Sequence, residues 1–353
     1  MTVRPIEDWR PLAETRLPEL AYRYIASAAG RGLTAEWNER RFDALRLAPR
    51  VGVDVSSIDT GIDLLGRRLA HPVLLAPTGC HRLFEASGEL SSIRGAGTAG
   101  ALYVVSSFTT STLADIAAAA RGPWWFQLNV PPNRDFVAAV IAEAVARGAE
   151  AIVLTLDTPV AGMRTQQGWD GVSLPDGIEF GVLRDLPGGL VPPPGEAGIY
   201  RPSLDPALTW QRVAELVADA PVPVLVKGVL RGDDAKRAAD AGVAGIVVSN
   251  HGGRNLDGLP ATIDALPGVV GAVGDRLPVL VDGGIRTGTD VLKALALGAR
   301  AVLVGRPYLW ALAAAGADGV RDVVVRLKTE LEMTMALCGL RSVDEISPDV
   351  LWR

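Results

Sequence analysis

The sequence predicts an α/β fold: a closed (β/α)8 barrel with N-terminal helices and a long Pro/Gly-rich loop after the fourth strand. Eight short apolar runs, rich in β-branched residues, recur along the chain, and a helical stretch follows each of them. Regular alternation of strand and helix favours a parallel sheet, and eight such units favour a closed barrel over an open sheet. The G-x-G-x-x-G fingerprint of dinucleotide-binding sheets is not found after the first run.

The eight predicted strands are short, as expected of barrel strands. They comprise residues 73–76, 103–105, 124–127, 151–156, 222–227, 245–249, 278–282 and 301–304. The stretches between them, such as VAAVIAEAVARGAE and GDDAKRAADAG, are amphipathic and rich in alanine, which is typical of the helices that surround a barrel.

Three further segments complete the prediction. Residues 11–42 alternate apolar and charged positions at helical spacing, so we expect an N-terminal helical extension within residues 1–70. Residues 165–210 are rich in Pro and Gly and interrupt the alternation, which predicts a mobile active-site loop. The stretch 319–339 predicts an amphipathic closing helix. The chain of 353 residues fits one barrel with these additions, so we expect one domain over residues 1–353.

Composition narrows the classes of function. The formal net charge of −5 offers no basic surface for nucleic acid or for an anionic membrane. Only two cysteines, Cys80 and Cys338, indicate a reducing compartment without a disulfide framework. The N-terminus lacks an apolar signal-peptide core, and no apolar run reaches the length of a membrane span. We therefore expect a cytoplasmic protein, and no metal site is predicted.

Polar and small residues follow the predicted strands at their carboxyl ends, where barrel enzymes carry their chemistry. They are Ala76, Pro77, Thr78 and Gly79; Ser106 and Phe108; Gln127 and Asn129; Thr155 and Asp157; Lys227; Ser249 and His251; Asp282, Gly283, Gly284 and Arg286; and Gly305 and Arg306. Such groups are expensive to bury without partners. Their shared position predicts one lined cofactor site.

One stretch, residues 245–258, carries the strongest signal. A β-branched run ends in His251, Gly252, Gly253 and Arg254. A base that changes charge near neutral pH, beside a cation suited to a carboxylate, is a chemical pair. The diglycine removes side chains where something must approach the backbone closely. A structural histidine is the competing interpretation, but it does not account for the coincidence of strand end, diglycine and arginine.

The loops after the last two predicted strands indicate a phosphate site. The sequence DGGIRTGTD precedes a helical stretch, and GRP follows the last strand. Barrels commonly bind phosphate between these loops with backbone N–H groups and helix N-termini, and here Arg286 and Arg306 add positive charge. Ordinary turn glycines are the alternative, and a phosphate site alone fits many barrel enzymes.

The motif SNHGGR followed by LDG, together with the strand-end motifs above in the same order, resembles the FMN-dependent 2-hydroxy-acid oxidases and dehydrogenases. This family includes glycolate oxidase, lactate oxidase, lactate monooxygenase and mandelate dehydrogenase. The resemblance extends from about Leu17 to the GRP motif at Gly305. It implies a TIM barrel that binds FMN, a small 2-hydroxy-acid substrate, oxygen or another electron acceptor, and a homotetramer.

The resemblance also implies roles for individual residues. Arg254 and Tyr24 would clamp the substrate carboxylate, His251 would be the base, and Asp157 would orient it. Lys227 would face the N1–C2 edge of the flavin, and Arg164 would lie near substrate and flavin. Of the remaining positions, Thr78, Ser106, Gln127, Thr155 and Ser249 would bind the isoalloxazine, and Asp282, Arg286 and Arg306 would bind the ribityl-phosphate end.

Departures from the family pattern bear on the substrate. Asn129 replaces the usual tyrosine, Phe108 an indole that is common there, and Asn255 the usual glutamine. A smaller Asn129 and Phe108 predict a wider pocket, hence a bulky or aryl 2-hydroxy acid. Gly79 stands where family oxidases tend to have alanine, which predicts slow or altered oxygen chemistry. The alternatives are a flavin enzyme acting on an amine or a modified peptide, and a flavin-binding scaffold without turnover.

Overall fold

The computed structural model describes residues 4–162, 174–190 and 199–352. Eight parallel strands close into a barrel, as predicted, and each predicted strand is confirmed to within two residues at either end. A two-stranded antiparallel hairpin, which the sequence did not predict, precedes them within the N-terminal extension. The strands are the hairpin β1 (Ile62–Leu64) and β2 (Arg67–Leu69), then β3 (Val73–Leu75), β4 (Tyr103–Ser106), β5 (Trp124–Asn129), β6 (Ile152–Thr155), β7 (Val224–Val229), β8 (Gly245–Val248), β9 (Val279–Asp282) and β10 (Ala301–Val304).

Strands β3 to β10 follow one another around the barrel in chain order, and β10 pairs with β3 to close it. The register pairs Asn129 with Thr155, and Thr155 with Lys227, so polar side chains from three strands meet at one rim. Below that rim the strands are apolar and fully buried, as the β-branched runs require. The carboxyl ends therefore form a polar floor on an apolar core.

Helices surround the barrel on the outside. They are α1 (Trp9–Arg16), α2 (Glu19–Ala26), α3 (Leu33–Asp43), α4 (Glu89–Thr98), α5 (Leu113–Ala119), α6 (Arg134–Ala146), α7 (Trp210–Asp219), α8 (Gly232–Asp240), α9 (Thr262–Val273), α10 (Gly288–Ala296) and α11 (Arg306–Leu337). Side-chain oxygens of Thr112, Asn133, Thr209 and Thr287 cap the N-termini of α5, α6, α7 and α10. Helix α11 includes the predicted closing helix and is kinked at Ala315 and Gly316.

The N-terminal extension packs over the mouth of the barrel. Its helix α3 is joined to the loop after β8 by a reciprocal pair of amide hydrogen bonds between Asn38 and Asn250, at 2.9 and 2.8 Å. Both side chains are buried, so the pair satisfies groups that would otherwise be expensive to bury. The extension is therefore a wall of the mouth.

The predicted loop 165–210 falls partly outside the described residues. Of the part that is described, Gly181 donates its N–H to Thr109 O at 2.8 Å, which fastens the segment to the loop after β4. Among the described residues, no helix combines the length and apolar character that crossing a bilayer requires.

Candidate active site

A cavity of about 310 Å³ opens at the carboxyl ends of the barrel strands, where the sequence predicted the site. The predicted residues that line it are Tyr24, Ala76, Pro77, Thr78, Gly79, Ser106, Phe108, Gln127, Asn129, Thr155, Lys227, His251, Gly252, Arg254, Asp282, Gly283, Gly284, Arg286, Gly305 and Arg306. Two predicted residues, Asp157 and Ser249, lie behind this wall and contact residues that form it. Arg164 lies outside the described residues.

His251 and Asp157 form the predicted pair. The Nδ1 atom of His251 lies 3.0 Å from Oδ1 of Asp157. Burial of this carboxyl group favours its protonated form, but the charge of His251, their hydrogen bond and the nearby Lys227 more than offset it, so the pKa of Asp157 is lowered. The carboxylate is thus ionised and accepts a hydrogen bond from Nδ1–H of the imidazole.

The backbone at His251 is unusual. Its φ of 57° lies in the left-handed region, which a non-glycine residue rarely adopts. Its N–H is held by Ser249 Oγ at 3.0 Å. The diglycine permits close approach, as predicted: a β-carbon at Gly252 would lie 2.9 Å from Arg306 Nη1, and one at Gly253 2.6 Å from Ala35 N. The groups that approach are therefore parts of the protein itself.

Lys227 is buried between acidic and hydroxyl partners. Its Nζ lies 3.2 Å from Asp282 Oδ2 and donates to Ser249 Oγ at 2.8 Å. Burial lowers the pKa of this ammonium, but the charges of Asp282 and Asp157 outweigh that effect and raise it. A fixed positive charge therefore stands at the floor of the cavity, with Ser249 holding both Lys227 and the His251 backbone.

Arg254 and Tyr24, the predicted carboxylate clamp, are in contact. The guanidinium carbon lies 5.2 Å from the centroid of the Tyr24 ring, in a cation–π arrangement. Its Nη1 donates to the carbonyl oxygens of Tyr24 at 2.8 Å and Ser27 at 3.1 Å. The C-terminal end of α2 thus fixes the arginine beside the tyrosine, since a helix C-terminus favours a cation.

Arg306 is also bound to the end of α2. It donates to the carbonyl oxygens of Ile25, Gly252 and Ser27 at 3.1, 2.9 and 3.0 Å. Arg286, in the neighbouring loop, is paired with Glu39 at 2.6 Å and stacks on the ring of Trp310. Both arginines that the sequence predicts at the phosphate end line the cavity. Arg306 also ties the N-terminal extension to the mouth of the barrel.

The donor and acceptor set fits FMN. Asp282 Oδ1 is buried and has no hydrogen-bond partner in the described part of the chain, so it awaits a donor such as a ribityl hydroxyl. Gln127 Nε2 donates to Thr155 Oγ1 at 2.7 Å, which leaves the amide oxygen of Gln127 as an acceptor at the floor. Gly283 and Gly284 line the cavity at the end of β9.

The outer wall of the cavity is apolar on one side. The rings of Phe108 and Phe180 meet edge to face with their centroids 5.6 Å apart. Gly79 also has a packing role: a β-carbon there would lie 2.7 Å from Phe108 Cβ. An alanine at this position would therefore press on Phe108, and the glycine makes room for that ring.

Asn129 forms the opposite side with an unpredicted partner. Thr158 Oγ1 donates to Asn129 Oδ1 at 3.0 Å, and the Asn129 N–H donates to Ser107 Oγ at 3.2 Å. The Asn129 amide is thereby held with its NH2 group as the remaining donor. Asn255, the other departure, donates from Nδ2 to Asp157 O at 3.0 Å and so joins the loops after β6 and β8.

Sequence reasoning missed several residues of the wall. They are Ile25, Cys80, Thr158, Ala161, Gly162, Phe180, Leu190, Arg201, Ser203, Leu204, Leu303 and Leu309. Those between Phe180 and Leu204 belong to the Pro/Gly-rich loop, whose irregular sequence gives no period from which a facing side chain could be inferred. Thr158 was detectable, because it follows Asp157 at a strand end.

Comparisons with known proteins agree with this geometry. The model of the family described as FMN-dependent dehydrogenase matches residues 13–353. The L-lactate oxidase of Nostoc sp. is 41% identical over 352 residues, which cover 98% of this chain and 96% of the relative. The glycolate oxidase of Spinacia oleracea is 39% identical over 350 residues, covering 98% of this chain and 95% of that protein.

The solved structures agree as well. A mandelate oxidase, crystallised with (S)-2-phenylpropionate, superposes with a TM-score of 0.89 at 38% identity and covers 100% of this chain and 98% of its own. The family match spans nearly the whole chain and includes every barrel strand. The chain therefore belongs to the FMN-dependent dehydrogenase family, in which it is similar to the 2-hydroxy-acid oxidases, and is an oxidoreductase whose cofactor is FMN.

Proposed function

We propose that the protein oxidises an (S)-2-hydroxy acid with a bulky or aryl side chain to the corresponding 2-oxo acid. The observation that carries the proposal is one cavity that joins the His251–Asp157 pair, the Arg254 guanidinium and the apolar wall of Phe108 and Phe180. Such a substrate needs a base for its hydroxyl proton, a cation for its carboxylate and an aryl surface for its side chain.

His251 acts as the base in this proposal. Because ionised Asp157 accepts the Nδ1 hydrogen, Nε2 of the neutral imidazole carries the lone pair that takes the proton of the substrate hydroxyl. The imidazolium that results is stabilised by the carboxylate 3.0 Å from Nδ1. Proton transfer to a positioned base of this kind contributes roughly 10²–10⁴-fold to rate.

Arg254 and Tyr24 orient the acid. The guanidinium offers a planar set of donors that matches a carboxylate, and the contact with the Tyr24 ring fixes its plane. The carbonyl oxygens at the end of α2 hold it from the other side. Binding the carboxylate here directs the hydroxyl-bearing carbon toward the floor of the cavity and toward His251.

The floor holds the cofactor. FMN supplies, when bound, the acceptor for two electrons and the α-hydrogen of the substrate at N5 of its ring. Protonated Lys227 offers a positive charge to a ring that gains negative charge, and Gln127 and Thr155 offer hydrogen bonds. Asp282 would bind the ribityl chain through Oδ1, which has no hydrogen-bond partner among the described residues, and Arg286 would hold the phosphate end.

The size of the wall supports an aryl side chain. Phe108 and Phe180 present an edge-to-face pair that can extend to a substrate ring, and aromatic pairs of this kind add about 0.5–1.5 kcal/mol beyond area burial. Asn129, fixed by Thr158, takes less space than a tyrosine would. The mandelate oxidase that superposes on this chain was crystallised with a phenyl-bearing acid, which is in line with this preference.

Three further features are part of the proposal. The electron acceptor would be oxygen or another compound, and reaction with oxygen would be slow or altered, since Gly79 lines the cavity. The protein assembles as a homotetramer. It works in the cytoplasm, where the buried thiols of Cys80 and Cys338 stay reduced.

An anaerobic titration tests the proposed function. The yellow holoprotein is mixed with glycolate, lactate, mandelate and, as a matched control without a carboxylate, the amide of mandelate, and loss of flavin absorbance is followed. We expect mandelate to bleach the flavin faster than lactate or glycolate, and the amide to react poorly. Bleaching by an amine with none by any hydroxy acid would favour the alternative of a flavin enzyme acting on an amine, and no bleaching at all would favour a scaffold without turnover.

A further inference from the structure

A cluster of buried polar side chains lies behind the loop after β3, on the side away from the cavity, and the proposed mechanism does not use it. Its members are Thr78, His81, Ser92 and Tyr308. His81, Ser92 and Tyr308 are completely buried, whereas Thr78 also lines the cavity. Thr78 is therefore the one member that meets both the cluster and the cofactor site.

The cluster forms one chain of contacts. His81 Nδ1 lies 2.9 Å from Ser92 Oγ, and His81 Nε2 lies 2.7 Å from Thr78 Oγ1. Thr78 Oγ1 is in turn in hydrogen-bond contact with Tyr308 Oη. Tyr308 donates its hydroxyl hydrogen to the carbonyl oxygen of Ala76 at 2.9 Å. The chain runs from α4 through the loop to α11 and back to the end of β3.

Counting hydrogens fixes the direction of each bond. Burial lowers the pKa of His81, so its ring is neutral and carries one N–H. Ser92 Oγ also lies 3.5 Å from the carbonyl oxygen of Gly88, but a hydrogen placed there would leave one of the four shorter contacts without any. The four contacts therefore share four hydrogens, one each from Ser92, His81, Thr78 and Tyr308. The Ala76 carbonyl can only accept, so Tyr308 donates to it, Thr78 donates to Tyr308, His81 Nε2–H donates to Thr78, and Ser92 donates to Nδ1.

This order has a consequence at the cavity. The single hydroxyl hydrogen of Thr78 is directed inward, to Tyr308, and cannot also be offered to the cofactor. The oxygen of Thr78 keeps a lone pair, because His81 uses only one of the two. Thr78 thus presents to the cavity an acceptor and a methyl group.

We propose that Tyr308 and His81 are positioning residues that hold the Thr78 hydroxyl hydrogen away from the flavin, and that Tyr308 thereby tunes the redox potential of the bound cofactor. The inference goes beyond the proposed function: it requires FMN in the cavity but no particular substrate. A substrate titration that contradicts the proposed function would leave this inference intact. A failure of this inference would likewise leave the proposed substrate class unaffected.

Tyr308→Phe tests the proposal. Without the phenolic oxygen, the Thr78 hydroxyl loses its inward acceptor and turns its hydrogen to the cavity. A donor facing the ring stabilises the electron-richer reduced form more than the oxidised form. We expect the ratio of the dissociation constants of oxidised and reduced FMN to rise by about three- to tenfold, the range of one neutral hydrogen bond, with a higher midpoint potential.

Tyr103→Phe is the matched control. Tyr103 is fully buried against the cluster, its ring meets Tyr308 edge to face at 6.4 Å, and its hydroxyl makes none of the four contacts that form the chain. Removing this oxygen leaves the chain of hydrogen bonds unchanged, so we expect the potential to stay at the wild-type value. A shift of equal size in both variants would assign the effect to general loosening of the core and would overturn the proposal.

A second variant separates positioning from packing. In a Thr78→Val background there is no hydroxyl to redirect, so Tyr308→Phe should no longer raise the potential. Thr78→Val alone also tests the proposal if Tyr308→Phe does not fold. If Thr78 donated to the ring in the wild type, Thr78→Val would lower the potential, and that result would overturn the assignment. An unchanged or lowered potential in folded Tyr308→Phe would overturn it as well.

Discussion

Gly228 lies against Asp157 so closely that a β-carbon at position 228 would stand 2.6 Å from the Asp157 Cβ and 2.7 Å from its carboxyl carbon. The register of β7 against β8 shifts between Lys227 and Val229, with Gly228 at φ 104°. This bulge gives the carboxylate that orients His251 its space. Bulges beside active sites commonly aim side chains in this way.

Gly228→Ala should therefore damage both stability and chemistry. The added methyl group overlaps Asp157 and sits on a backbone conformation that L-residues rarely adopt, so we expect a loss of about 1–3 kcal/mol in the free energy of unfolding. Displacement of the carboxylate should also slow anaerobic flavin reduction more than tenfold. Thermal unfolding and stopped-flow absorbance measure the two effects.

Gly258→Ala is the control for this experiment. Gly258 has a φ of 84°, yet a β-carbon there would meet no atom within 4 Å. It therefore reproduces the backbone strain without the overlap. An equal decrease in the rate of flavin reduction in both variants would show that the account of the bulge is wrong.

His251→Ala should retain FMN and lose flavin reduction by substrate. The base is removed, whereas Lys227, Asp282 and Gln127, which hold the cofactor, are untouched. We expect the anaerobic reduction rate to fall by on the order of a hundredfold or more. Flavin absorbance of the purified variant checks retention of the cofactor, and near-normal reduction would remove His251 from its proposed role.

The fold was predictable because the strands are short apolar runs with polar or small residues at or after their carboxyl ends. The same rule predicted His251, Lys227 and Asp282 at one rim, and all three line the cavity. The hairpin β1–β2 was not predicted, because its strands, Ile62–Leu64 and Arg67–Leu69, are short and carry charges. Short runs of this kind give little periodicity to detect.

The contacts that hold the site rigid were not predictable. Asn38 and Asn250 are separated by 212 residues, and nothing in either local sequence indicates that their amides pair. The loop of Arg306 predicts a phosphate ligand, but it does not indicate that the guanidinium also binds carbonyl oxygens at the end of α2. Such pairings follow from tertiary packing, which local patterns do not encode.

Asp257, from the LDG motif, should stabilise the protein in a pH-dependent way. Its carboxylate accepts hydrogen bonds from the backbone N–H groups of Arg31 and Thr34, both at 2.8 Å, and so caps the start of α3 from another loop. Asp257→Asn keeps the shape but loses the charge. The amide offers one acceptor oxygen in place of two, so one of the two hydrogen bonds is lost, and we expect a loss of about 0.5–1.5 kcal/mol in the free energy of unfolding at pH 7.

The pH dependence has a defined sign. Partial burial favours the protonated form of Asp257, but the hydrogen bonds from Thr34, Arg31, Leu33 and Gly258 outweigh it and lower its pKa. A lowered folded-state pKa gives stability that is present above the unfolded value, about 3.9, and is lost as pH falls through the folded value. The difference between wild type and Asp257→Asn should thus shrink below about pH 4. Asp275→Asn, at an exposed carboxylate, is the control, and a difference that does not depend on pH would contradict the capping role.

Asn129→Tyr should shift the substrate preference toward small acids. Asn129 lies at the mouth of the cavity, where a tyrosine would fill space and offer a phenolic hydroxyl to a small substrate. One such hydrogen bond contributes about 0.5–1.5 kcal/mol, so the ratio of kcat/KM for lactate over mandelate should rise by roughly two- to tenfold. The substitution also breaks the bond from Thr158 Oγ1 to Asn129 Oδ1, so Thr158→Val, which breaks that bond without filling the cavity, is the control. An equal change in both variants would assign the effect to the lost hydrogen bond, and an unchanged or lower ratio in Asn129→Tyr would reject the wide-pocket account of the substrate.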